Sequence, residues 1–251
     1  MDSLGYIGHA TTLMRLEGSA ILTDPMLRGW LGPLRRQGSP PSPELAKIPD
    51  LVLISHLHRD HLDLPSLRRL PAGTPLVAPR GATRWVARGG AKRIREIGRG
   101  ETISVEGIDV TAVPAVHDGH RDRRGRQIEP LGYVIRKGGR TVYFAGDTDL
   151  FPEMSELGPL DLALLPVWGW GFSVGAGHLD PERAARALKL LRPRLAVPIH
   201  WGTFYPIGLR RLRPEPLTEP PLEFARLAGR LTPEVEVRVL NPGSETSLES
   251  K

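Results

Sequence analysis

The feature that most constrains this chain is a run of metal-binding side chains directly after a short apolar segment. Residues 51–54 read Leu-Val-Leu-Ile, which is typical of a strand buried on both faces. The next seven residues include four that can bind a metal ion: His56, His58, Asp60 and His61. Alternate residues of an extended segment point to the same side, so His56 and His58 can share one ion, and Asp60 and His61 can reach a second. The sequence therefore predicts a metal centre at a strand end.

Composition limits how such a centre can be built. The 251 residues contain no Cys, which excludes disulfides, thiolate metal sites and a cysteine nucleophile. The ligands must therefore be His, Asp or Glu, and the chain has eight histidines. Imidazole nitrogens and carboxylate oxygens suit Zn²⁺, with Mn²⁺ or Fe as alternatives.

Further candidate ligands follow other apolar runs of the chain. His117, Asp147 and His200 each lie just beyond a segment that is predicted to be a strand. Strand ends are where α/β sheets usually carry their functional side chains. Together with the first motif, these three residues indicate a site with two metal ions.

The set formed by H-x-H-x-D-H, a later His, Gly146-Asp-Thr148 and a late His resembles the motifs of the metallo-β-lactamase superfamily. The resemblance extends from Gly8-His9-Ala10 and Leu22-Thr-Asp-Pro25 to Ile199-His-Trp-Gly-Thr203. Those flanking pieces are similar to the branch that holds L-ascorbate-6-phosphate lactonase and N-acylphosphatidylethanolamine phospholipase D. The resemblance implies an α/β fold, a four-layer αββα sandwich, with residues 1–251 as one hydrolase domain.

The resemblance also assigns the ligands by position. It implies that the first ion is bound by His56, His58 and His117. It implies that the second ion is bound by Asp60, His61 and His200, with Asp147 bridging both ions.

The implied chemistry is hydrolysis. Two divalent ions about 3.5–4 Å apart can hold a bridging hydroxide at neutral pH, because metal binding lowers the pKa of water towards ~7. Asp60 or Asp147 could orient that nucleophile. The resemblance thus implies a metal-dependent hydrolase that cleaves a small, anionic ester, lactone or phosphodiester. An Asp at position 147, where some lactamases have Cys, favours this activity over a true β-lactamase.

Three other residues are candidates for contact with the substrate. His178 precedes the predicted N-cap of a helix, so it could hold an anion or act as a general acid, and a packing role is equally compatible. Trp168 and Trp170 alternate on a Gly-rich segment and could wall a pocket, although core packing is the more common role for such residues.

Residues around the motifs could support the ligands. His9 and Asp24 are predicted to lie behind them and to orient their rings, or to act only as strand-end turns. His120 is an alternative to His117 as a ligand, but the Pro-Ala-Val-His context favours His117. The basic side chains of the following loop could steer an anion or simply be solvated: Arg121, Arg123, Arg124 and Arg126.

Two other functions remain open. A net charge of +6 is compatible with a nuclease that uses the same metals, although no RNA-binding module or aromatic stacking motif is recognised. A metal-binding or sensing module without catalysis is also possible, but a structural site rarely keeps open coordination positions. A flavin-linked oxidoreductase is disfavoured, because no sequence remains for a flavin-binding domain.

The remaining sequence predicts a mixture of strands and helices. The best helix covers residues 181–191, with Asp180 as its N-cap and Pro181 at its first position. Three segments read as loops: 26–49, 118–130 and 206–221. No apolar run is long enough to cross a membrane, and no secretory signal is visible, so we expect a cytoplasmic protein.

Overall fold

Two large β-sheets form the body of the molecule. The structure, a computed structural model, describes residues 1–121, 127–169 and 175–249. The strands within these ranges are, in chain order, β1 Ser3–Gly8, β2 Thr11–Leu16, β3 Ser19–Thr23, β4 Trp30–Leu31, β5 Leu34–Arg36, β6 Leu51–Leu53, β7 Pro75–Pro79, β8 Arg93–Ile97, β9 Thr102–Val105, β10 Ile108–Pro114, β11 Leu131–Lys137, β12 Arg140–Phe144, β13 Leu160–Pro166, β14 Pro193–Ile199, β15 Phe204–Pro206, β16 Glu236–Val237 and β17 Ser244–Ser247.

Each large sheet has seven strands and mixes antiparallel with parallel pairs. The first has the order β17-β1-β2-β3-β6-β7-β8, and the second has the order β16-β14-β13-β12-β11-β10-β9. In the first sheet β3, β6, β7 and β8 are parallel neighbours. In the second, β12, β13, β14 and β16 are parallel neighbours. Parallel neighbours end at the same edge of a sheet, so residues that follow them in sequence can meet there.

Helices cover the outer faces of the sheets. The α-helices are α1 Leu64–Leu67, α2 Thr83–Val86, α3 Pro181–Leu191 and α4 Glu219–Leu231. Short 3-10 helices occupy Pro43–Lys47, Ala87–Gly89, Pro152–Glu156, Leu209–Arg211 and Glu215–Leu217.

The inner faces of the two sheets share one apolar core. Tyr6 and Met14 from the first sheet and Tyr133 and Phe144 from the second are fully buried in it. Helix α3 adds Leu188 to the same cluster from the second sheet's side. A separate apolar cluster joins the first sheet to α1 and α2. The order helix, sheet, sheet, helix confirms the predicted αββα sandwich.

The boundaries of α3 agree with the sequence prediction. The side chain of Asp180 accepts a hydrogen bond from the Arg183 amide at 2.8 Å, and Pro181 occupies the first turn. The helix ends at Leu191, and the next residue, Arg192, has a left-handed backbone (φ 46°) and precedes Pro193. These local signals set the start of the helix, because the first backbone N–H groups of a helix have no partner within it. Asp180 accepts a hydrogen bond from one of them, and Pro181 has no N–H group to satisfy.

Two of the three predicted loops contain secondary structure, so that part of the prediction was wrong. The segment 26–49 holds β4, β5 and a 3-10 helix, whereas β15 and the start of α4 overlap the segment 206–221. Strands β15, β5 and β4 form a small third sheet. Strands of two or three residues are too short to show an alternating pattern, and β5 finds its partner β15 only far along the chain.

Arg36 fastens this small sheet to the main body. Its side chain is only 4% exposed, and it donates to the backbone oxygens of Ile7, Met26 and Arg28. Its guanidinium also lies 4.8 Å from the centre of the Phe204 ring. The small sheet is therefore held next to the Gly8-His9 turn.

The C-terminal region also differs from the prediction. The strand expected near residues 235–240 is limited to β16, and the sequence prediction missed β17. Strand β17 reads Ser-Glu-Thr-Ser and pairs with β1 at the sheet edge, where a strand needs little apolar surface.

The described part of the charged segment 118–130 contains no helix or strand, and residues 122–126 lie outside the described ranges. None of the helices in the described ranges has the length and apolar character needed to span a bilayer.

Candidate metal centre

The seven predicted ligands meet at one edge of the sandwich. His56, His58, Asp60 and His61 follow β6 of the first sheet, which ends at Leu53. From the second sheet, His117 follows β10, Asp147 follows β12 and His200 follows β14. The fold thus brings together side chains that are far apart in sequence.

Three of these histidines form what we call the imidazole group: His56, His58 and His117. His58 Nδ1 lies 3.0 Å from His56 Nε2 and 3.0 Å from His117 Nε2. Three nitrogens bound to one tetrahedral Zn²⁺ at 2.0–2.1 Å would lie about 3.3 Å apart. The spacing of the imidazole group therefore fits a single metal ion.

Hydrogen bonds fix the tautomers of two of these rings. His117 Nδ1 lies 2.7 Å from the Gly177 carbonyl oxygen, which can only accept, so Nδ1 donates. Ser55 Oγ gives its one hydrogen to Asp24 Oδ2 at 2.6 Å, so His56 Nδ1 donates to Ser55 Oγ at 3.0 Å. In both neutral rings Nε2 then carries a lone pair directed at the cluster. This arrangement is that of metal-ligating histidines.

Three of the other predicted ligands form what we call the mixed group: Asp60, His61 and His200. Asp60 Oδ2 lies 3.2 Å from His61 Nε2 and 3.7 Å from His200 Nε2. His61 Nδ1 donates to Asp24 Oδ2 at 2.7 Å, and His200 Nδ1 donates to the Trp168 carbonyl oxygen at 2.5 Å. The Nε2 atoms of both rings are thus directed at the carboxylates.

Asp147 lies between the two groups. Its Oδ2 atom is 3.2 Å from His61 Nε2 and 4.0 Å from His117 Nε2, and its Oδ1 atom is 3.3 Å from His200 Nε2. The carboxylate thus faces the mixed group and one ring of the imidazole group, as a bridging ligand would.

The electrostatics of the two groups are opposite. Burial lowers the pKa of His117 to about 4 and that of His56 well below its usual value, so these rings are neutral at pH 7. Burial alone would also lower the pKa of His61, but Asp147 and Asp60 raise it well above the usual value. The mixed group therefore stabilises positive charge, and the imidazole group supplies neutral donors.

The hydrogen bonding of the buried atoms in the cluster also fits bound metal ions. Among the described residues, the buried atoms His61 Nε2 and Asp147 Oδ1 face other atoms of the cluster at 3.2–3.3 Å but have no hydrogen bond of good geometry. Buried polar atoms without hydrogen bonds are uncommon and need a cause. Cations bound in the cluster would give both atoms a partner, so the residues present fit a centre built from nitrogen and oxygen donors.

Asp24 and His9 lie directly behind the predicted ligands. Asp24 is fully buried and accepts hydrogen bonds from His61, from Ser55 Oγ and, at 2.8 Å, from the Ser55 amide. His9 Nε2 lies 2.9 Å from Asp60 Oδ2 and donates to it, because an ionised carboxylate can only accept. Burial lowers the pKa of His9 to about 3, so the ring itself is neutral. The structure thus places both residues where they orient ligand side chains.

Backbone strain is concentrated at this site. Six non-glycine residues of the described chain have a positive φ, and three of them are His9 (59°), Asp24 (33°) and His200 (64°). Such conformations cost about 1–3 kcal/mol each and persist where the surrounding structure enforces them. The sequence contains no signal for this strain.

The residues that were predicted to contact the substrate differ in how exposed they are and in how near they lie to the cluster. His178 is 31% exposed, its Nε2 atom lies 3.8 Å from Asp147 Oδ2, and its ring centre lies 4.6 Å from that of His117. Trp168 is 8% exposed and packs in the core 6.1 Å from Tyr205. Trp170 lies outside the described residues. Of the three, the structure shows only His178 at the open side of the cluster.

The helix behind His178 does not offer all of its amides to an anion. The side chain of Asp180 caps the Arg183 amide, so the predicted use of free N–H groups at this terminus is restricted.

His120 is not among the residues whose donor atoms meet in the ligand cluster. The His120 side chain is 38% exposed and its Nδ1 atom lies 2.6 Å from Asp118 Oδ1. Arg121 donates to the backbone oxygens of Leu57, which lies within the ligand motif, and of Leu62, which directly follows it. Arg123, Arg124 and Arg126 lie outside the described residues.

Comparison with known proteins shows the family to which the chain belongs. A family model described as a beta-lactamase superfamily domain matches residues 19–201. A metal-dependent hydrolase of Methanopyrus kandleri is 34% identical over 249 residues, covering 95% of this chain and 96% of that protein. An N-acyl-phosphatidylethanolamine-hydrolyzing phospholipase D of Caenorhabditis elegans is 32% identical over 84% of this chain and 66% of its own length.

A solved structure matches the whole chain. Igni18, described as a novel metallo hydrolase from Ignicoccus hospitalis, is 28% identical with a TM-score of 0.73, and the match covers 100% of this chain and 99% of that one.

Proposed function

Since the chain belongs to the metallo-β-lactamase superfamily of metal-dependent hydrolases, we propose that it cleaves a small anionic ester, lactone or phosphodiester with two metal ions. The observation that carries the proposal is the convergence of two ligand groups on Asp147. Each group alone can hold one ion, and the carboxylate between them lies within 4.0 Å of a ring nitrogen of each.

The ligands favour Zn²⁺, with Mn²⁺ or Fe as alternatives, because five imidazoles and two carboxylates supply borderline donors. The imidazole group would hold the first ion and the mixed group the second. When bound, two such ions lower the pKa of water towards ~7 and polarise a carbonyl or phosphoryl oxygen.

The chain's own residues would then position the reactants. Asp60 and Asp147 accept hydrogen bonds, so either can orient a water molecule for attack. His178 is half-buried at the open side of the cluster and can donate a proton to the leaving oxygen or hold an anionic substrate group. Asp24 and His9 keep the ligands in position.

The test is a matched pair of histidine variants. His58→Ala removes the nitrogen that contacts both other rings of the imidazole group, whereas His120→Ala removes a half-exposed loop histidine outside the cluster. Metal content is measured by mass spectrometry, and hydrolysis is measured on a panel of nitrophenyl esters, lactones, phosphodiesters and single-stranded RNA. We expect His58→Ala to lose metal and activity, and His120→Ala to retain both.

A metal-free His58→Ala protein with full activity would refute the proposal. Turnover of RNA with a steep salt dependence would instead assign the site to a nuclease.

A further inference from the structure

A second carboxylate, Asp149, follows the shared ligand Asp147 by two residues but lies outside the described groups of candidate ligand atoms. It pairs instead with Arg183 of α3. Arg183 Nη1 lies 3.0 Å from Asp149 Oδ1 and 2.8 Å from Oδ2, and the side chains are 29% and 20% exposed. Arg183 Nε also donates to Asp180 Oδ2 at 3.2 Å. This half-buried ion pair therefore connects the segment after β12 to the first turn of α3.

Gly177 connects the ion pair to a ligand ring. Its N–H group donates to Asp149 Oδ2 at 3.3 Å, and its carbonyl oxygen accepts a hydrogen bond from His117 Nδ1 at 2.7 Å. The backbone of Gly177 lies close to the ring, because a Cβ atom on Gly177 would be 3.4 Å from both Cα and Nδ1 of His117. A shift of Gly177 would thus move the acceptor that orients His117.

The backbone next to His117 is held by the same segment. The carbonyl oxygen of Val116 accepts a hydrogen bond from the Asp149 amide at 2.9 Å. The amide of Val116 donates to Thr148 Oγ1, also at 2.9 Å. Thr148 and Asp149 therefore hold the chain that carries His117, while the Asp149 carboxylate holds the residue that orients its ring.

Arg183 keeps the Asp149 carboxylate in this orientation. Asp149 Oδ2 accepts from both Arg183 and Gly177, and Oδ1 also accepts from the Leu150 amide at 2.8 Å. Hydrogen bonds between charged partners are stronger than neutral ones, so they favour the one side-chain rotamer that makes all of these contacts. A single nitrogen, Nη1, contacts both oxygens, so the ammonium of a lysine could take its place.

We propose that Asp149 and Arg183 are positioning residues for the imidazole group, and that they act on His117 through Gly177. Without them the Gly177 carbonyl is no longer held opposite His117 Nδ1, so the ring has no preferred tautomer and Nε2 is directed at the cluster in only a fraction of the molecules. The rings of the mixed group have other hydrogen-bond partners. The proposal rests on the function proposed above, because it takes His117 as a metal ligand.

The first test is a zinc titration against a chromophoric chelator, in which His58→Ala identifies the binding step of the imidazole group. Asp149→Ala should weaken this step at least about tenfold and change the other step less than twofold. Arg183→Gln should weaken it about threefold, and Arg183→Lys should restore it to within about twofold, because the cation is kept. A residue that only stabilised the fold would not affect one step selectively.

The second test needs no metal. The His117 Nδ1–H proton is observed by NMR in the metal-free protein and is identified by its loss in His117→Gln. Its exchange with water should be at least about fivefold faster in Asp149→Ala and nearly unchanged in Arg183→Lys, because its protection depends on the hydrogen bond to Gly177. Arg183→Gln provides both measurements if Asp149→Ala does not fold.

A matched ion pair lies on the same helix. Arg186 Nη2 lies 2.6 Å from Glu182 Oε1, and these side chains are 58% and 61% exposed. Glu182→Ala and Arg186→Gln should change both zinc steps and the exchange of the His117 proton less than twofold. Equal weakening of the two zinc steps in Asp149→Ala, or unchanged zinc binding and exchange in Asp149→Ala and Arg183→Gln, would overturn the proposal.

The two measurements separate this proposal from the proposed function. If His58→Ala retains full activity without metal, the proposed function is wrong, and the exchange of the His117 proton still decides whether Asp149 positions the ring. If the hydrolysis panel is turned over but Asp149→Ala changes neither zinc binding nor exchange, the positioning role is wrong and the function stands.

Discussion

The imidazole group and the mixed group lie side by side, but they differ in the charge of their donor atoms. His56, His58 and His117 bring three ring nitrogens together, and the group itself contains no carboxylate. The mixed group contains one carboxylate, Asp60, and faces a second, Asp147, and each has an oxygen 3.2 Å from His61 Nε2. One group therefore offers only neutral lone pairs, and the other adds the attraction of negative charge to its nitrogen donors.

This difference affects what each group does without metal. In the mixed group, protonated rings can balance the carboxylates, since Asp147 and Asp60 raise the pKa of His61. In the imidazole group, burial lowers the pKa of His56 and His117, so a shared proton is disfavoured. We infer that the mixed group depends less on metal for its stability than the imidazole group, because ion pairs within the mixed group remain when the metal is removed.

The largest effect is expected at the residue that the two groups share. Asp147→Asn removes the negative charge between them, so both ions should bind more weakly and hydrolysis should fall about 10³-fold, equivalent to about 4 kcal/mol of lost stabilisation. Asp109→Asn, an exposed carboxylate on β10, is the matched control. Metal content and kcat are measured together. A variant that loses only one ion would show that Asp147 serves one group rather than both.

The next prediction compares the groups in the absence of metal. His61→Ala should lower the free energy of unfolding by about 3 kcal/mol, because it removes the ring that contacts the buried carboxylates of both Asp24 and Asp147. His58→Ala removes a half-buried ring and should cost less than about 1 kcal/mol. Urea unfolding in the presence of a chelator measures both. Equal losses would contradict the inferred difference between the groups.

The sequence predicted the parts of the site that depend on local signals. The strand before His56 and the helix after Asp180 are marked by apolar runs and capping residues, and the fold then brings the seven predicted ligands to one edge. The Asp24 position was predicted only as one of two alternatives.

Other parts of the site are not marked by any local pattern in the sequence. The carbonyl oxygens of Gly177 and Trp168 orient His117 and His200, but every residue has a carbonyl, so sequence cannot single them out. Ser55 connects Asp24 to His56, and a serine before a histidine is common.

Changes to the residues that orient the ligands should weaken metal binding by a smaller factor than the loss of a ligand. These changes should also affect the two groups to different extents. Asp24 contacts His61 directly and His56 through Ser55, so Asp24→Asn should weaken both metal ions about 10–100-fold. Ser55→Ala removes only the link to His56 and should weaken one ion by about tenfold. Zinc titration against a chromophoric chelator resolves the two binding steps, and Ser104→Ala on β9 is the control. An equal effect of Ser55→Ala on both steps would show that the groups share this support.

The smallest effect is expected at Gly146, where the backbone before Asp147 packs closely against Ser55. Gly146 precedes the shared ligand Asp147 and has a φ of 60°, and a Cβ atom there would lie 2.6 Å from the Cβ of Ser55. Gly139 also has a positive φ, of 75°, but a Cβ there would have no neighbour within 4 Å. Both alanine variants therefore carry the cost of the left-handed backbone, and only Gly146→Ala adds a collision.

The difference between these two glycine variants isolates that collision. Gly146→Ala should be less stable than Gly139→Ala by about 1–2 kcal/mol in urea unfolding. Since the collision pushes Ser55 away from Asp147, it should also weaken the metal ion of the imidazole group more than that of the mixed group, whose rings do not contact Ser55. Equal stability of the two variants would mean that Ser55 can move away without a loss of stability. The contact between Gly146 and Ser55 would then not set the spacing of the two groups.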